Sequence, residues 1–562
     1  MTKLKKKRML KFMKLLIYNL LFWFKPNKIK YIKSDEAYIY SHPDYFSYLV
    51  SAISKHLKKE ELIKTFRVFN LKQTYVFGKK VDIKFNFDFF NNFKFGNNVK
   101  KPAFFNKADV KVPYEIGRLQ FLQKVLLHIY TDIEKAPEFD LNYLEEIISN
   151  EDNKIIFNSP MDVAIRLISL ILVKNICSEI PFTKESSLYP KLDSFISRDF
   201  EYVKQNYEKT GNVVGNHYFV ELAAVLFFIA NYDYKNKDLD CTSTINEISK
   251  EIDLQFNSDF TNFEASTHYT ALMLEALIII YISLQHLKIE NDLSNKIQKL
   301  LTVNNDFLKL VTNKGELSQI GDNDSGRLIY FLYDEQNPLN LEWLNNLIEE
   351  LIPDSKNYNH IVENIDRLEN FDISNLKSVS HKKINVFQDD FKHYSFPDFG
   401  LFIWRNSNEY FSIRCGDIGQ NGVGGHAHYD QLSIECFTSD KWIARDPGTG
   451  TYTDDINKRN KFRSLKYHWG PNINLEFPDD TAFDCFKLNN VSSGKVLKFD
   501  KFNFIGYADF NKKRIYRKVS LSDGVISIQD FSNDVELGEY ASWGEEKNGI
   551  KVEFSEGYKR FI

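Results

Sequence analysis

The hydrophobic period of this chain changes once, and that change constrains the fold more than any other feature. From about 113 to 352 apolar residues recur at helical spacing, in segments at Ile116–Tyr130, Leu141–Ile148, Met161–Ile176, Tyr189–Tyr202, His217–Ala230, Tyr269–Leu287, Leu293–Leu310 and Leu341–Ile352. After about 395 the period falls to two. Leu401–Trp404 and Tyr410–Ile413 flank the turn Asn406–Glu409, and Val519–Leu521 and Val525–Ile528 flank Asp523-Gly524. Helices first and strands afterwards predict segregated layers rather than alternating βαβ units. Phe219–Ile229 is apolar nearly all round and demands burial on every side. Many antiparallel helices with short connections imply an α/α layered bundle or toroid, an incomplete barrel, and the strand half reads as an antiparallel β-sandwich. The expected organisation is a multidomain α+β chain: a basic, amphipathic segment and lead-in over 1–105, an α/α domain over 106–353, a polar linker over 354–385 and a β domain over 386–562.

Composition narrows the function. The 562 residues carry a net charge of −3, which argues against a generic nucleic-acid binder. Aromatic residues make up 15%, which serves either an aromatic core or a groove for sugar rings. The five cysteines include no CxxC pair, so neither a disulfide framework nor a thiolate metal site is expected. Lys3 to Lys14 holds seven basic residues and runs into the apolar Leu15–Phe24. That pairing is similar to a signal sequence without a small-residue cleavage site, is too short to span a bilayer, and suits peripheral membrane contact through residues 3–24 or a plain N-terminal helix.

Ionisable groups gather at four places. Gly424-Gly425-His426-Ala427-His428-Tyr429-Asp430-Gln431 sets two His and one Asp at alternate positions, which lean to one side if the backbone is extended. The strand Leu432–Phe437 then turns at Thr438–Asp440, and pairing about Ser439 brings Asp446 beside position 432, close to His428. His428, Asp446 and one more His, with His468 the best available, would make a three-ligand zinc site. The alternative is that His428 bonds a backbone carbonyl and Asp446 caps a turn. Asn216, in Gly215-Asn216-His217-Tyr218, is placed to cap the apolar helix that follows and to present a carboxylate-binding helix end. Glu264-Ala265-Ser266-Thr267-His268-Tyr269 opens another helix, and Gly321–Arg327 reads as a tight loop rather than an EF-hand.

Taken in order, these segments resemble the heparinase II/III-like polysaccharide lyases, which include related alginate lyases. The series begins at Val112–Arg118 and Met161–Arg166 and passes through Gly215-Asn216-His217, Glu264-x-Ser266-x-x-Tyr269 and Gly321–Arg327. It ends with GGHAHYDQ, Asp446–Thr449 and Phe462-Arg463-Ser464 leading to His468. The resemblance covers roughly 100 to 530 and implies β-elimination on a uronate-containing, anionic polysaccharide. It assigns Asn216 and His217 to neutralising the substrate carboxylate, Tyr269 to the acid and perhaps the base, and His426 to the alternative base or to polarising the tyrosine. It assigns His428, Asp446 and His468 to a structural zinc ion, with no organic cofactor. Arg118, Arg166 and Tyr452 become candidates for substrate binding, each arginine being equally explained by an internal salt bridge. Two positions depart from the family pattern, Tyr429 inside HAHxD and Trp469 after the last His. The resemblance favours the cell envelope or periplasm, with the cytoplasm as the alternative because no cleavable signal is evident; oligomeric state is left open. A non-catalytic glycan-binding protein in envelope polysaccharide assembly and a glycoside hydrolase using Glu264 and Asp322 are the competing readings.

Overall fold

The structure is a computed structural model. It describes residues 38–40, 72–125, 141–209, 214–353, 364–475, 485–488 and 492–561, with short gaps at 97–98, 100–104, 181–182, 184–185, 332, 368–372, 545 and 548–549. The basic stretch 3–24 lies outside the described residues.

The helical half is built in two layers. Three helices, Pro160–Glu179, Asn216–Asn231 and Thr267–His286, pack on one another in succession and are buried almost from end to end. Thr267–His286 is long and apolar enough to cross a membrane but lies wholly inside the protein. Each inner helix carries an outer partner with one buried face: Leu188–Gln205, Lys237–Gln255 and Asp292–Leu310. The sequence shows inner helices as continuous apolar runs and outer helices as stripes. Lys237–Gln255 escaped that reading because its buried face is Thr244, Ile248, Glu251, Ile252 and Gln255, helically spaced but with only two apolar members. The helix expected over Ile116–Tyr130 is broken: Lys111–Gly117 ends the first piece, Leu119 takes a positive φ of 57°, and the helix resumes at 121.

The strand half holds two antiparallel sheets. Five strands follow chain order, Lys392–Phe396, Leu401–Arg405, Tyr410–Arg414, Ile434–Thr438 and Lys441–Ala444. This sheet is apolar on both faces. Leu401, Ile403 and Tyr410 join the core shared with the helices, whereas Phe402, Trp404, Phe411 and Ile413 join the core shared with the second sheet. The run Leu401-Phe402-Ile403-Trp404 is therefore continuous because both its faces are covered. The second sheet centres on Ser492–Phe499, Asn503–Phe510, Lys513–Ser522 and Val525–Phe531. Its last hairpin turns through Asp523 and Gly524, both at positive φ, as a two-residue turn requires.

The polar stretch expected as a linker over 354–385 is partly built into this sheet. Ile365–Asp366 pairs with Ser492–Phe499, while Ser378–Ser380 and Ile384–Asn385 both pair with Val525–Phe531. Short edge strands draw their stability from the ladder and need no apolar alternation, so composition hides them.

Arg118 and Arg166 belong to this framework. Arg118 Nε lies 2.6 Å from Asp162 and Nη1 2.7 Å from Glu115, while Arg166 is bidentate to Asp199 at 2.7 Å through each nitrogen. Both guanidinium groups are buried and saturated by carboxylates, which removes them from substrate binding. Arg166→Met would leave the buried Asp199 with only the partly exposed Arg198, at 3.1 Å, and we expect a loss of about 3 kcal/mol in urea unfolding.

Candidate active site

The site forms where the helical half meets the five-stranded sheet, and the Gly321–Arg327 loop brings the two together. Gly321, at φ 70°, approaches so closely that a Cβ would sit 3.0 Å from both the His426 carbonyl oxygen and Ser266 Cβ. The Asp322 backbone N–H donates to the His426 carbonyl at 3.0 Å, and Ser266 Oγ donates to the Asp322 carbonyl at 2.7 Å. Ser266 also caps the Thr267–His286 helix, accepting from the Tyr269 N–H at 3.1 Å. One short loop thus ties a helix start to the GGHAHYDQ segment.

The Asp322 carboxylate is fully buried and surrounded by donors. Oδ1 lies 2.9 Å from His428 Nε2 and 2.6 Å from Arg459 Nη1; Oδ2 lies 3.2 Å from His426 Nδ1 and 2.8 Å from Arg459 Nη2. Burial opposes its charge, but Arg459 and the two imidazoles override it and hold the carboxyl well below its ordinary range. The sequence presents Asp322 as part of a tight loop and as a possible hydrolase carboxylate, and it does not single out Arg459, which lies on the short helix Ile456–Phe462. No local signal marks either residue, because their relation spans 137 positions.

GGHAHYDQ is not extended. His426 adopts a positive φ of 55°, and the strand begins only at Ile434. The alternation expected of His426, His428 and Asp430 therefore fails: Asp430 turns toward Arg414, at 3.8 Å, while both histidines reach Asp322. Their nitrogens are used differently. Asp322 is placed to accept from Nδ1 of His426 and from Nε2 of His428, and against the opposition of burial it raises both rings above their ordinary range; in the neutral rings Nε2 of His426 and Nδ1 of His428 would be the acceptors.

Asp446 arrives as expected, by a slightly different register. Thr438 pairs with Lys441 across Ser439 and Asp440, and a bulge follows between Cys436 and Phe437, so the pairing is centred later than Ser439. His428, Asp446 and His468 present ligand atoms all within 4.8 Å of one another, in a buried pocket. His468 Nδ1 donates to the Ser464 carbonyl at 2.8 Å, leaving Nε2 as its acceptor. That lone pair faces His428 Nδ1 at 3.2 Å and Asp446 Oδ2 at 3.0 Å. His428 Nδ1, His468 Nε2 and Asp446 Oδ2 are thus three ligand-type atoms facing one small buried space. Two ligands at about 2.0–2.1 Å from a tetrahedral zinc ion lie about 3.3 Å apart, which matches the His–His spacing. The donor set and its spacing therefore fit zinc.

Tyr269 and Tyr452 lie beside this cluster. The Tyr269 ring stacks against His426 with centroids 4.0 Å apart and a 30° tilt. Burial, then Asp324, Tyr452, Asp322 and Glu264, push its phenol well above the ordinary range, so it is a neutral proton donor. Tyr452 is buried, packed on Tyr558 at 5.0 Å and on Phe486 at 4.8 Å.

Asn216 differs from expectation. Gly215 is the cap and Asn216 the first helical residue. Its Nδ2 donates to both oxygens of Glu264, at 3.1 and 2.9 Å, and Gln420 donates to Glu264 at 3.2 Å. The helix end expected to take a substrate carboxylate already holds one of the protein's own. Asn216 Oδ1 remains buried with no hydrogen-bond partner. His217 is exposed and pairs through Nδ1 with Glu208 at 2.5 Å.

The two departures from the family pattern face away from the chemistry. Tyr429 and Trp469 are buried in the core between the sheets, Trp469 against Tyr540 and Trp543 at 5.3 and 5.2 Å.

The family model described as "Heparinase II/III-like, C-terminal" matches residues 390–468, which contain GGHAHYDQ, Asp446 and His468. The chain carries a heparinase II/III-like C-terminal domain. Among curated proteins none matches the sequence. Among solved structures, Heparinase III aligns with a TM-score of 0.53 and 13% identity, over 90% of this chain and 74% of that one. The heparan sulfate lyase HepC from Pedobacter heparinus aligns with a TM-score of 0.46 and 14% identity, over 87% of this chain and 71% of that one. The likeness to Heparinase III is one of fold, with helices followed by antiparallel sheets.

The pairing of His217 generates a test. The ring is open to solvent along one side only, and the water it loses on the other works against the cation; Glu208, with Glu221 and Asp162, outweighs that loss and raises the ring to about 9. Its stabilising contribution is then complete below about 6.5 and is lost as pH rises through about 9. In an NMR titration of the histidine ring protons we expect His217 to titrate far above the ordinary value, and Glu208→Gln to return it toward about 6.5. An unchanged His217 titration in that variant refutes the pairing.

Proposed function

We propose that this protein is a polysaccharide lyase that cleaves a uronate-containing, anionic glycan by β-elimination. The observation that carries the proposal is Tyr269 stacked on His426, with Asp322 placed to accept from His426 Nδ1, so that the neutral ring leaves Nε2 unprotonated. A neutral phenol beside an imidazole acceptor is the acid–base pair such a reaction needs. His426 Nε2 takes the C5 proton, the C5–H electron pair forms the C4=C5 double bond, and the C4–O bond breaks. Tyr269 gives its proton to the departing oxygen.

The C5 proton is weakly acidic until the adjacent carboxylate is neutralised. His217, kept cationic by Glu208, supplies the neutralising charge, and Asn216 stands beside it at the start of the same helix. The Asn216 side chain is fixed by Glu264, which accepts from its Nδ2 and is itself held by Gln420. Tyr452 lines the same space. A glycoside hydrolase is disfavoured, because the Glu264 and Asp322 carboxylates are already filled by protein donors.

His428, Asp446 and His468 are the residues that would hold a structural zinc ion, which would fix the loop carrying His426. On this reading the helical layers form an incomplete α/α toroid and the two sheets a β-sandwich, with the glycan between them. We place the substrate among envelope or capsular polysaccharides, in keeping with the basic residues 3–24.

Three measurements test the reading. Incubated with a panel of acidic polysaccharides, the protein should generate the ultraviolet absorbance of a C4=C5 unsaturated uronate; cleavage without that absorbance refutes a lyase, and binding without cleavage identifies a glycan-binding protein. Tyr269→Phe should lower kcat by about 10²–10⁴-fold, and full activity in that variant removes Tyr269 from the acid role. Elemental analysis of protein prepared without chelator should find one zinc per chain, lost in His468→Ala; a zinc-free parent refutes the site.

A further inference from the structure

The aromatic segment Phe85–Phe90 takes no part in the chemistry above, yet it carries a surface with its own binding character. Phe87–Asp88 pairs with Phe93–Lys94 in a short hairpin that places Lys94 directly across from Phe87. Lys84 Nζ lies 5.4 Å from the Phe87 ring centre, and the Phe89 ring meets Phe87 edge-on at 5.2 Å. Lys79, from the neighbouring hairpin Gln73–Val76 and Lys79–Asp82, sits 5.2 Å from the Phe90 ring and reaches the Phe89 carbonyl at 3.5 Å. The same motif recurs on that hairpin, where the exposed Tyr75 stands across from Lys80. Lys79, Lys80, Lys84 and Lys94 are exposed, while Phe87, Phe89 and Phe90 are half-buried.

The charge of this surface is one-sided. Residues 72–94 contain five lysines and two aspartates in a chain whose net charge is −3. Asp88 does not offset them outward, because it is buried and accepts from the backbone of Phe90, Asn91 and Asp109. Hairpin stability alone would be served by opposite charges across the strands. Lysines gathered around half-buried rings instead repel one another, a cost that a bound polyanion removes. Ring faces offer stacking area to the apolar face of a pyranose, and the ammonium groups beside them pair with carboxylate or sulfate. The surface is also joined to the site by ring contacts: Phe90 to Phe77 at 6.4 Å, Phe77 to Tyr558 at 4.9 Å, and Tyr558 to Tyr452 at 5.0 Å.

We propose that Phe87, Phe89, Lys79, Lys84 and Lys94 form an accessory binding surface for an acidic polysaccharide, holding the polymer outside the cleft in which it is cleaved. This rests on the reading above that the substrate is an acidic glycan.

The test uses the full chain with Tyr269→Phe to suppress turnover. Binding of alginate, polygalacturonate and heparan sulfate is measured by affinity electrophoresis, with dextran as the uncharged control. For the acidic polymer bound best, we expect the added substitutions Lys79→Gln, Lys84→Gln and Lys94→Gln to weaken binding at least tenfold and to flatten its salt dependence. Dextran should not bind. The triple substitution in the otherwise unaltered protein should leave cleavage of a tetrasaccharide of the same polymer unchanged. These lysines are exposed, so the fold tolerates their replacement; Phe87→Ala, read separately, should weaken long-chain binding in the same direction. Equal affinity and equal salt dependence in the triple variant, in a protein that cleaves the polymer, overturn this surface alone. A protein that neither binds nor cleaves any of the acidic probes overturns the acidic-glycan reading and this surface with it.

Discussion

The buried carboxylate of Asp322 is the constraint on which the rest of the molecule depends. It enters from a loop of the helical half and receives every one of its side-chain hydrogen-bond and ion-pair partners from the strand half: Arg459, His426 and His428. A buried charge without partners is strongly destabilising, so the two halves hold this geometry together or not at all. The same contacts set which nitrogen of each neutral histidine carries the proton. Fold and chemistry are therefore coupled at one atom group, and neither half carries the site alone.

A second layer of buried charge holds the other side of the cluster. Arg517, on the outer sheet, is bidentate to Asp530 at 2.7 Å and also donates to the Leu432 and Trp469 carbonyls, at 2.6 and 2.9 Å. Lys547 donates to the Leu465 carbonyl at 2.9 Å and to that of His468. These donors saturate backbone carbonyls that flank His468 and the end of GGHAHYDQ, where irregular chain would otherwise leave acceptors unpaired. The apolar Tyr429 and Trp469 fill the space beneath. Their departure from the family pattern is thus a change of core packing under the loop, and the ligand atoms above are unaffected.

Much of this was legible in the sequence, for identifiable reasons. Inner helices show as apolar runs because they are buried all round, and the two hairpin turns at Asn406–Glu409 and Asp523-Gly524 show because turn chemistry is local. His428, Asp446 and His468 converge as the hairpin and the family resemblance implied. What stayed hidden is non-local or compositionally silent. Arg459 meets Asp322 across 137 residues, the Lys237–Gln255 helix buries polar side chains, and the edge strands of 365–385 have no alternation to see. For the arginines the sequence left two alternatives, and the structure shows the internal salt bridge: a guanidinium suited to a substrate carboxylate is equally suited to Asp162 or Asp199 in the core, and sequence does not tell which carboxylate is nearer.

The positive φ of His426 explains how one segment sets two histidines in different surroundings. In an extended strand, residues two apart project in parallel and His426 and His428 would present the same nitrogen to the same partner. The left-handed turn at His426 breaks that equivalence, and the two rings reach Asp322 through different nitrogens, Nδ1 in one and Nε2 in the other. The nitrogen left over then points to different surroundings: Nε2 of His426 on the ring that stacks on Tyr269, and Nδ1 of His428 toward His468 and Asp446. The strain of a non-glycine residue at positive φ costs of order 1–3 kcal/mol, and it persists because the His426 amide donates to the Phe486 carbonyl while its carbonyl accepts from Asp322. A backbone over-determined at this point is what turns two neighbouring imidazoles to different surroundings within three residues of chain.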